Sequence, residues 1–340
     1  MPKTKVTIAD IARSAGTSKT TVSRVLNNKP DVDAETRERI LRLIEETGFT
    51  PQVSAINLAG GRTNIIGLLV PSLSSPYSLT VIQGVAEKIA EENYELMLYT
   101  TGLSEINQKK FLQKLSKKLV DGLVVLLPRE STDLEEKLQS SDMPIVLIDH
   151  RGIDTHMHTI SATNEKGGFD ATEYLIGLGH SRIGIITGLM DFGCSRDRLE
   201  GYRVALGAHG IKWDGNLMKA GDFTENSGYE ATVRLLAEKN RPTAIFCSND
   251  DMAIGAMQAI QDAGLKVPSD ISIVGFDDIA RASMTYPSLT TIRQPLITMG
   301  GKAAELVKNL IDGVEVERTN IVLNTELVVR GSCARLDKQL

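Results

Sequence analysis

The 340-residue sequence predicts an all-α helix-turn-helix head followed by an α/β body of two doubly wound parallel-sheet lobes. Three observations predict it. The first 50 residues read as short helices separated by glycine turns. From Ile65 onward, continuous apolar runs alternate with amphipathic segments, the pattern of strands buried on both faces of a parallel sheet. The charge is also split. Residues 1–30 hold six Lys/Arg against the single acid Asp10, hence +5, and the remainder must carry −10 to reach the whole chain's −5. A small basic segment on an acidic body is the asymmetry of a nucleic-acid-binding appendage, although a solvated N-terminal helix would show the same charge.

The head is read element by element. Thr7 stands at an N-cap position before IADIARSAG, and Gly16 ends that helix. Ser18 caps a second helix, KTTVSRVLN, with Val22, Val25 and Leu26 at helical spacing. A third helix starts after Asp33, carries Ile40, Leu41 and Ile44 on one face, and stops at Gly48. Helix, glycine turn, helix and support helix make a helix-turn-helix layout. Small Ala9, Ala12 and Ala15 allow the close approach that the turn needs. Pro51 opens a separate segment, and SAINLAGGRTN (54–64) reads as a helix of two turns closed by a glycine pair. A helix this short is marginal in water by itself.

In the body, IIGLLVPS, a helix 78–92, ELMLYTT, a helix 105–118, DGLVVLLP and IVLIDH form one series. RIGIITG, a helix 197–209, LMKAGDF, a helix 225–238, AIFCSND, a helix 251–263 and ISIVGFDD form a second. The series divide near Thr159–Asn164. The expected boundaries are 1–50 for the head, 51–63 for the linking helix and 64–340 for the body. Within it, lobe 1 takes about 64–160 and a returning 293–320, and lobe 2 about 163–291 and 321–335. Ligands of open α/β sheets bind beyond the carboxyl ends of the strands, so the cleft between the lobes is the expected site.

Several classes fit the sequence poorly. No run approaches the roughly 20 apolar residues of a membrane span, and the N-terminus lacks the apolar stretch of a signal peptide, so the expected location is cytoplasmic. Cys194, Cys247 and Cys333 are odd in number and widely spaced, which suits buried thiols. No strand leads into G-x-G-x-x-G or a phosphate loop, and HExxH and GxSxG are absent. Five histidines without a pair at ligand spacing argue against zinc. No metal, no cofactor and no catalytic residue is expected. An α/β enzyme is the rival class.

Candidate binding residues occur in both the head and the body. The start of the second helix would enter the major groove. Arg24 suits a bidentate contact to guanine, Lys19 a donor to guanine, and Thr20 a base edge or thymine methyl. Thr7, Ser18, Thr21, Ser23 and Asn27 suit positions along the DNA, most of them phosphate oxygens. In the cleft, Asp149, Asn249, Asp250, Asp277 and Asp278 follow strands, and Arg198 lies near the start of the helix after RIGIITG. Carboxylates, a carboxamide and a guanidinium suit a polyhydroxylated ligand. Phe223 or Phe192 could cover its apolar face. Asp250 could instead cap a helix, and Asp278 could serve its turn.

TIADIARSAGTSKTTVSRVLNN resembles the N-terminal signature of the lactose-repressor/galactose-repressor family of bacterial transcription regulators. The likeness continues through SAINLAGG, GLGHSRIGIITG, SRDRLEGYRVAL, FCSNDDMAIGAMQAI, VPSDISIVGFDD and YPSLTTIRQP, over essentially the whole chain. The resemblance implies a body similar to periplasmic binding proteins and a homodimer on a palindromic operator. The effector would be a small molecule, most often a sugar, with a purine, a nucleoside or a phosphorylated partner protein as alternatives. It implies effector contacts at Arg198, Asn249, Asp277, Asp149 and Phe223, with Ser72, Pro76 and Tyr77 bordering the pocket. It makes 54–64 a hinge helix, in which Leu58 wedges into a base step of the minor groove while Ala55 and Ala59 permit pairing with a twin.

Overall fold

The computed structural model describes residues 6–26, 30–49, 62–102, 119–129, 132–151 and 156–336, with Ser104, Ile106, Asn107, Lys110 and Phe111 between them. The expected contacts at Asn27, Ala55, Leu58 and Ala59, and most of the helix expected at 105–118, lie outside these residues.

The head holds α1 (Ile8–Ser14), α2 (Lys19–Leu26) and α3 (Ala34–Thr47). Thr7 and Asp10 close the start of α1 reciprocally: the Thr7 hydroxyl accepts from the Asp10 amide while the Asp10 carboxylate accepts from the Thr7 amide. Ser18 Oγ accepts from the Thr21 amide at 3.1 Å. Gly48, at φ 62°, ends α3 in the left-handed conformation. Ile11, Ala12, Ala15, Val22, Val25 and Ile40 form the core. Leu41 is a correction: it is 50% exposed, and Leu43 packs against the core with Ile44 in its place. Positions three and four residues beyond Ile40 share its face, whereas the next residue turns about 100° away.

Among the described residues the body forms two six-stranded sheets. The first places β1 (Ile65–Val70), β2 (Glu95–Thr100), β3 (Gly122–Leu126), β4 (Ile145–Ile148), β5 (His158–Ala162) and β11 (Asn320–Leu323) in the order β11-β5-β4-β3-β1-β2, all parallel. The second contains β6 (Ile183–Thr187), β7 (Met218–Ala220), β8 (Ala244–Cys247), β9 (Ser272–Asp277), β10 (Thr290–Arg293) and β12 (Glu326–Val328), in the order β12-β10-β9-β8-β6-β7. Only β12 runs antiparallel, against β10. Ile66, Leu68, Val124, Val146 and Ile148 of the first sheet, and Ile185, Ile245, Ile273 and Val274 of the second, are fully buried. No helix among the described residues is long and apolar enough to cross a membrane.

The covering helices are α4 (Pro76–Glu91), α5 (Thr132–Gln139), α6 (Asn164–Gly177), α7 (Gly193–Ala208), α8 (Glu225–Leu236), α9 (Asp250–Asp262) and α10 (Leu296–Ile311). Helix α10 leaves the second sheet and packs Met299, Ala303 and Val307 with Val81 and Val85 of α4 in the first lobe's core. The chain thus crosses between lobes after β5, after β10 and between β11 and β12. The last two crossings differ from the expected boundaries: β10 continues to Arg293 in lobe 2, and Asn320–Leu323 pairs with β5 in lobe 1. The short apolar runs TTIR and NIVL carry no mark of which sheet they join.

Two sets of contacts fix the frame around the cleft and the chain's entry into it. Helices α6 and α7 cross backbone to backbone. A Cβ on Gly168 would lie 2.3 Å from the Arg198 carbonyl oxygen, and one on Gly201 would lie 1.9 Å from that of Glu165. The chain also enters lobe 1 through fixed bonds. Arg62 donates to the Asp312 carboxylate at 2.6 Å and to the Ile311 carbonyl at 2.8 Å. The Thr63 and Asn64 amides donate to the Asp121 carboxylate, each at 2.7 Å.

Candidate functional site

Local geometry on α2 sorts the head residues. Val22 and Val25 face the core, while Lys19, Thr20 and Arg24 are exposed. Thr7 and Ser18 are exposed and engaged in the two helix starts, and Thr21 shares a 2.9 Å hydrogen bond with Ser18. Ser23 is half-buried. Arg24 carries a feature that the sequence reading did not anticipate: its guanidinium pairs with Asp31 at 2.7 Å. Both side chains are about half exposed, so this pair contributes little to stability, about 0–1 kcal/mol.

The seven cleft candidates, Ser72, Tyr77, Asp149, Arg198, Phe223, Asn249 and Asp277, all line one cavity of about 300 Å³ between the lobes. Strand ends deliver most of them. Asp149 follows β4, Asn249 follows β8, Asp277 closes β9, Ser72 lies on the β1–α4 connection and Tyr77 in the first turn of α4. Asp149 (φ 58°), Phe223 (φ 71°) and Asp277 (φ 113°) hold left-handed backbone conformations, uncommon for residues with a side chain and concentrated here at the cavity.

Arg198 is the hub. It is 2% exposed, Nε donates to Asn164 Oδ1 at 2.9 Å, and Nη1 donates to the Ser248 carbonyl at 2.5 Å. Its guanidinium lies 3.7 Å from the centre of the Phe276 ring and 3.6 Å from Asp277. Burial works against the Arg198 charge, and neighbouring acids, Asp277 and Asp149 among them, outweigh it. Burial pushes Asp277 up to about 7, opposed by Arg198 and by a 2.7 Å hydrogen bond from Gln294. The Tyr77 hydroxyl donates to Asp149, and burial and that carboxylate together hold Tyr77 well above the ordinary phenol range. Cys194 lines the same wall, and burial raises its thiol to about 12, so it stays protonated and unreactive.

The capping role considered for Asp250 belongs to Asn249, which also lines the cavity. Asn249 Oδ1 accepts from the Met252 amide and so caps α9, while its amide nitrogen donates to the Phe223 carbonyl at 3.0 Å. Asp250 is fully buried and ties strand β10 to the loop after β9, accepting from Thr291 Oγ1 at 2.5 Å and from the Ile279 amide at 2.9 Å. Asp278 serves its turn by binding Arg293 and Arg330. Phe192 is fully buried, 6.1 Å from Phe223, and is not part of the cavity wall. The Phe223 ring comes forward because Gly188 is bare: a Cβ there would lie 2.1 Å from the ring.

Strand ends alone did not reveal several lining residues. Ser74, Ser75 and Ser78 continue the Ser72 wall, and Asp222, Glu225, Asp251 and Arg281 form the rim. Asn164 connects Arg198 to Asp149 through its side chain and follows strand β5, so the rule that found Asp149 applied to it as well.

Known proteins share both the head and the body. Residues 7–52 match bacterial regulatory proteins of the lacI family, and residues 172–333 match the periplasmic binding protein-like domain. The HTH-type transcriptional repressor PurR of Photobacterium profundum is 36% identical over 332 residues, covering 97% of this chain and 99% of that protein. The HTH-type transcriptional regulator DegA of Bacillus subtilis is 35% identical over 336 residues, covering 98% and 99%. Among solved structures, the lac repressor dimer bound to operator and the anti-inducer ONPF superposes with a TM-score of 0.82 at 30% identity, covering 97% of this chain and all of that one. The complex of the transcriptional regulator CelR with cellobiose gives a TM-score of 0.75 at 32% identity, covering 96% and 99%.

Proposed function

Because the chain belongs to the lacI family of bacterial regulatory proteins, we propose that it is a cytoplasmic repressor: its paired heads read a two-fold symmetric operator, and its cleft binds a sugar or sugar derivative. Residues 1–50 read DNA, 51–63 link, and 64–340 sense and dimerise. The observation that carries the sugar reading is the Ser78 hydroxyl. Ser78 is among the residues lining the cavity, and its buried hydroxyl has no hydrogen-bond partner among the described residues. A hydrogen-bonding group of a ligand, such as a sugar hydroxyl, would complete it. Opposite this serine-rich wall stands Phe223, one aromatic face for the apolar side of a sugar ring. A flat purine gains most from rings on both of its faces, and Tyr77, the other ring of the wall, holds its hydroxyl on Asp149. The cellobiose bound by CelR favours the same choice.

In this proposal Ser72, Tyr77, Asp149, Arg198, Phe223, Asn249 and Asp277 contact the ligand. Lys19, Thr20 and Arg24 reach base edges, and Thr7, Ser18, Thr21, Ser23 and Asn27 fix the register on phosphates. Arg24 exchanges Asp31 for guanine on docking. Leu58, with Ala55 and Ala59 at its sides, opens the minor groove. A ligand acts only through its different affinity for the two lobe arrangements. The family's regulators support binding rather than turnover as the role of the cleft, and no catalytic residue is assigned. The test is a thermal-shift screen of sugars and nucleosides on the full chain, followed by operator binding at fixed salt with each hit. Stabilisation by a sugar, and a change in operator affinity that Ser78→Ala weakens, is expected. Stabilisation by purines alone would overturn the sugar reading.

A further inference from the structure

The charges around the cavity are sorted by depth. Deep inside, one cation faces two acids: Arg198, Asp149 and Asp277 are each at most 4% exposed. Arg198 already serves Asn164, the Ser248 carbonyl and Asp277. At the rim, Arg281 is held by Glu225 at 2.9 Å and by Asp251 at 3.7 Å. Asp222 stands beside them. Burial opposes its charge, but hydrogen bonds from Thr224 and Ser227 outweigh it and keep the carboxyl below its ordinary value. Five carboxylates therefore line the cavity against two guanidiniums, and no lysine or histidine joins them among the described residues.

Helix starts are the other source of positive potential. Three of them, α4, α8 and α9, open at the cavity, and each is closed by its own chain. Ser75 accepts from the Ser78 amide, Thr224 from the Ser227 amide, and Asn249 from the Met252 amide. Pro76 brings no N–H to α4. Glu225 fills the first turn of α8, and Asp250 and Asp251 that of α9. Helix α7 starts without a capping side chain, but the charge it carries inward is that of Arg198, which Asp277 meets.

We infer that the cavity selects polyhydroxylated ligands without a carboxylate or phosphate group. The inference rests on the sugar reading above and narrows it. An anionic ligand would bring its charge beside Asp277 at Arg198, or beside Glu225 and Asp251 at Arg281. The exclusion works by repulsion as well as by fit.

The test is calorimetric titration of the full chain with glucose, galactose and cellobiose, and with glucuronate, galacturonate and the hexose 6-phosphates. A neutral sugar is expected to bind, with its uronate and phosphate counterparts at least about tenfold weaker, equivalent to 1.4 kcal/mol. Equal or tighter binding of an anionic counterpart overturns the inference and leaves the sugar reading standing. Binding by none of the sugars overturns both. The double variant Glu225→Gln/Asp251→Asn frees Arg281 and should raise the affinity ratio of uronate to neutral sugar about tenfold. An unmoved ratio would assign the discrimination to shape and overturn its electrostatic origin.

Discussion

On α2, Lys19, Thr20 and Arg24 are exposed, and Asp31, which pairs with Arg24, is itself half exposed. In the cleft, Asp149, Arg198 and Asp277 are buried and bonded to one another or to the same neighbours before any ligand arrives. Lys19, Thr20 and Arg24, proposed to read base edges, can therefore change without disturbing the head's core, which is made of other side chains. The cleft has no such separation: the groups proposed to recognise the ligand also hold loops and satisfy buried charges.

The strongest way to break this contrast is Arg198→Ala. Removing the guanidinium takes the shared donor from Asn164, the Ser248 carbonyl and Asp277, all buried, a change worth about 3–5 kcal/mol. Chemical denaturation should show that loss together with abolished ligand response, whereas full stability with response lost would mean that the site's residues are as separable as those of the head. Next is Gly201→Ala, which forces a methyl group to 1.9 Å from the Glu165 carbonyl oxygen. Pushing α6 and α7 apart should cost about 1–3 kcal/mol. It should also weaken ligand affinity, because that crossing holds Asn164 against Arg198, and unaltered affinity would separate packing from recognition.

Arg24→Ala sharpens the other side. Stability should stay within about 1 kcal/mol, while discrimination between operator and random DNA, read by fluorescence anisotropy, falls by about 1–3 kcal/mol. Equal losses on both DNAs would make Arg24 a phosphate contact. A separate effect is one of pH. Asp277, raised by burial to about 7 from an ordinary value of 3.8, keeps a proton in the folded chain that the unfolded chain has released. The folded state binds more protons between those values, so this contribution declines as pH rises from about 4 to 7 and then levels off. The stability of the wild type relative to Asp277→Asn should fall over that window. A constant difference would show that Asp277 is ionised throughout.

The sequence revealed what periodicity controls. Unbroken apolar runs mark strands covered on both faces, and a polar residue at the end of such a run marks the cavity, so Asp149, Asn249 and Asp277 could be found. What escaped depends on contacts distant in sequence. Glu225, Asp251 and Arg281 meet only after α8, α9 and the loop beyond β9 have packed together. The Arg24–Asp31 pair spans seven positions, from α2 to the residues before α3. The sheet that β11 joins is decided by pairing across 161 positions, from Thr159 to Asn320, and nothing within NIVL itself encodes it.

The bonds at residues 62–64 carry a mechanical consequence. Arg62 holds the end of α10, and Thr63 and Asn64 hold the turn before β3, all within lobe 1. Such a joint is a built-in support rather than a pin. It carries torque as well as displacement, so when lobe 1 turns, residues 62–64 turn with it.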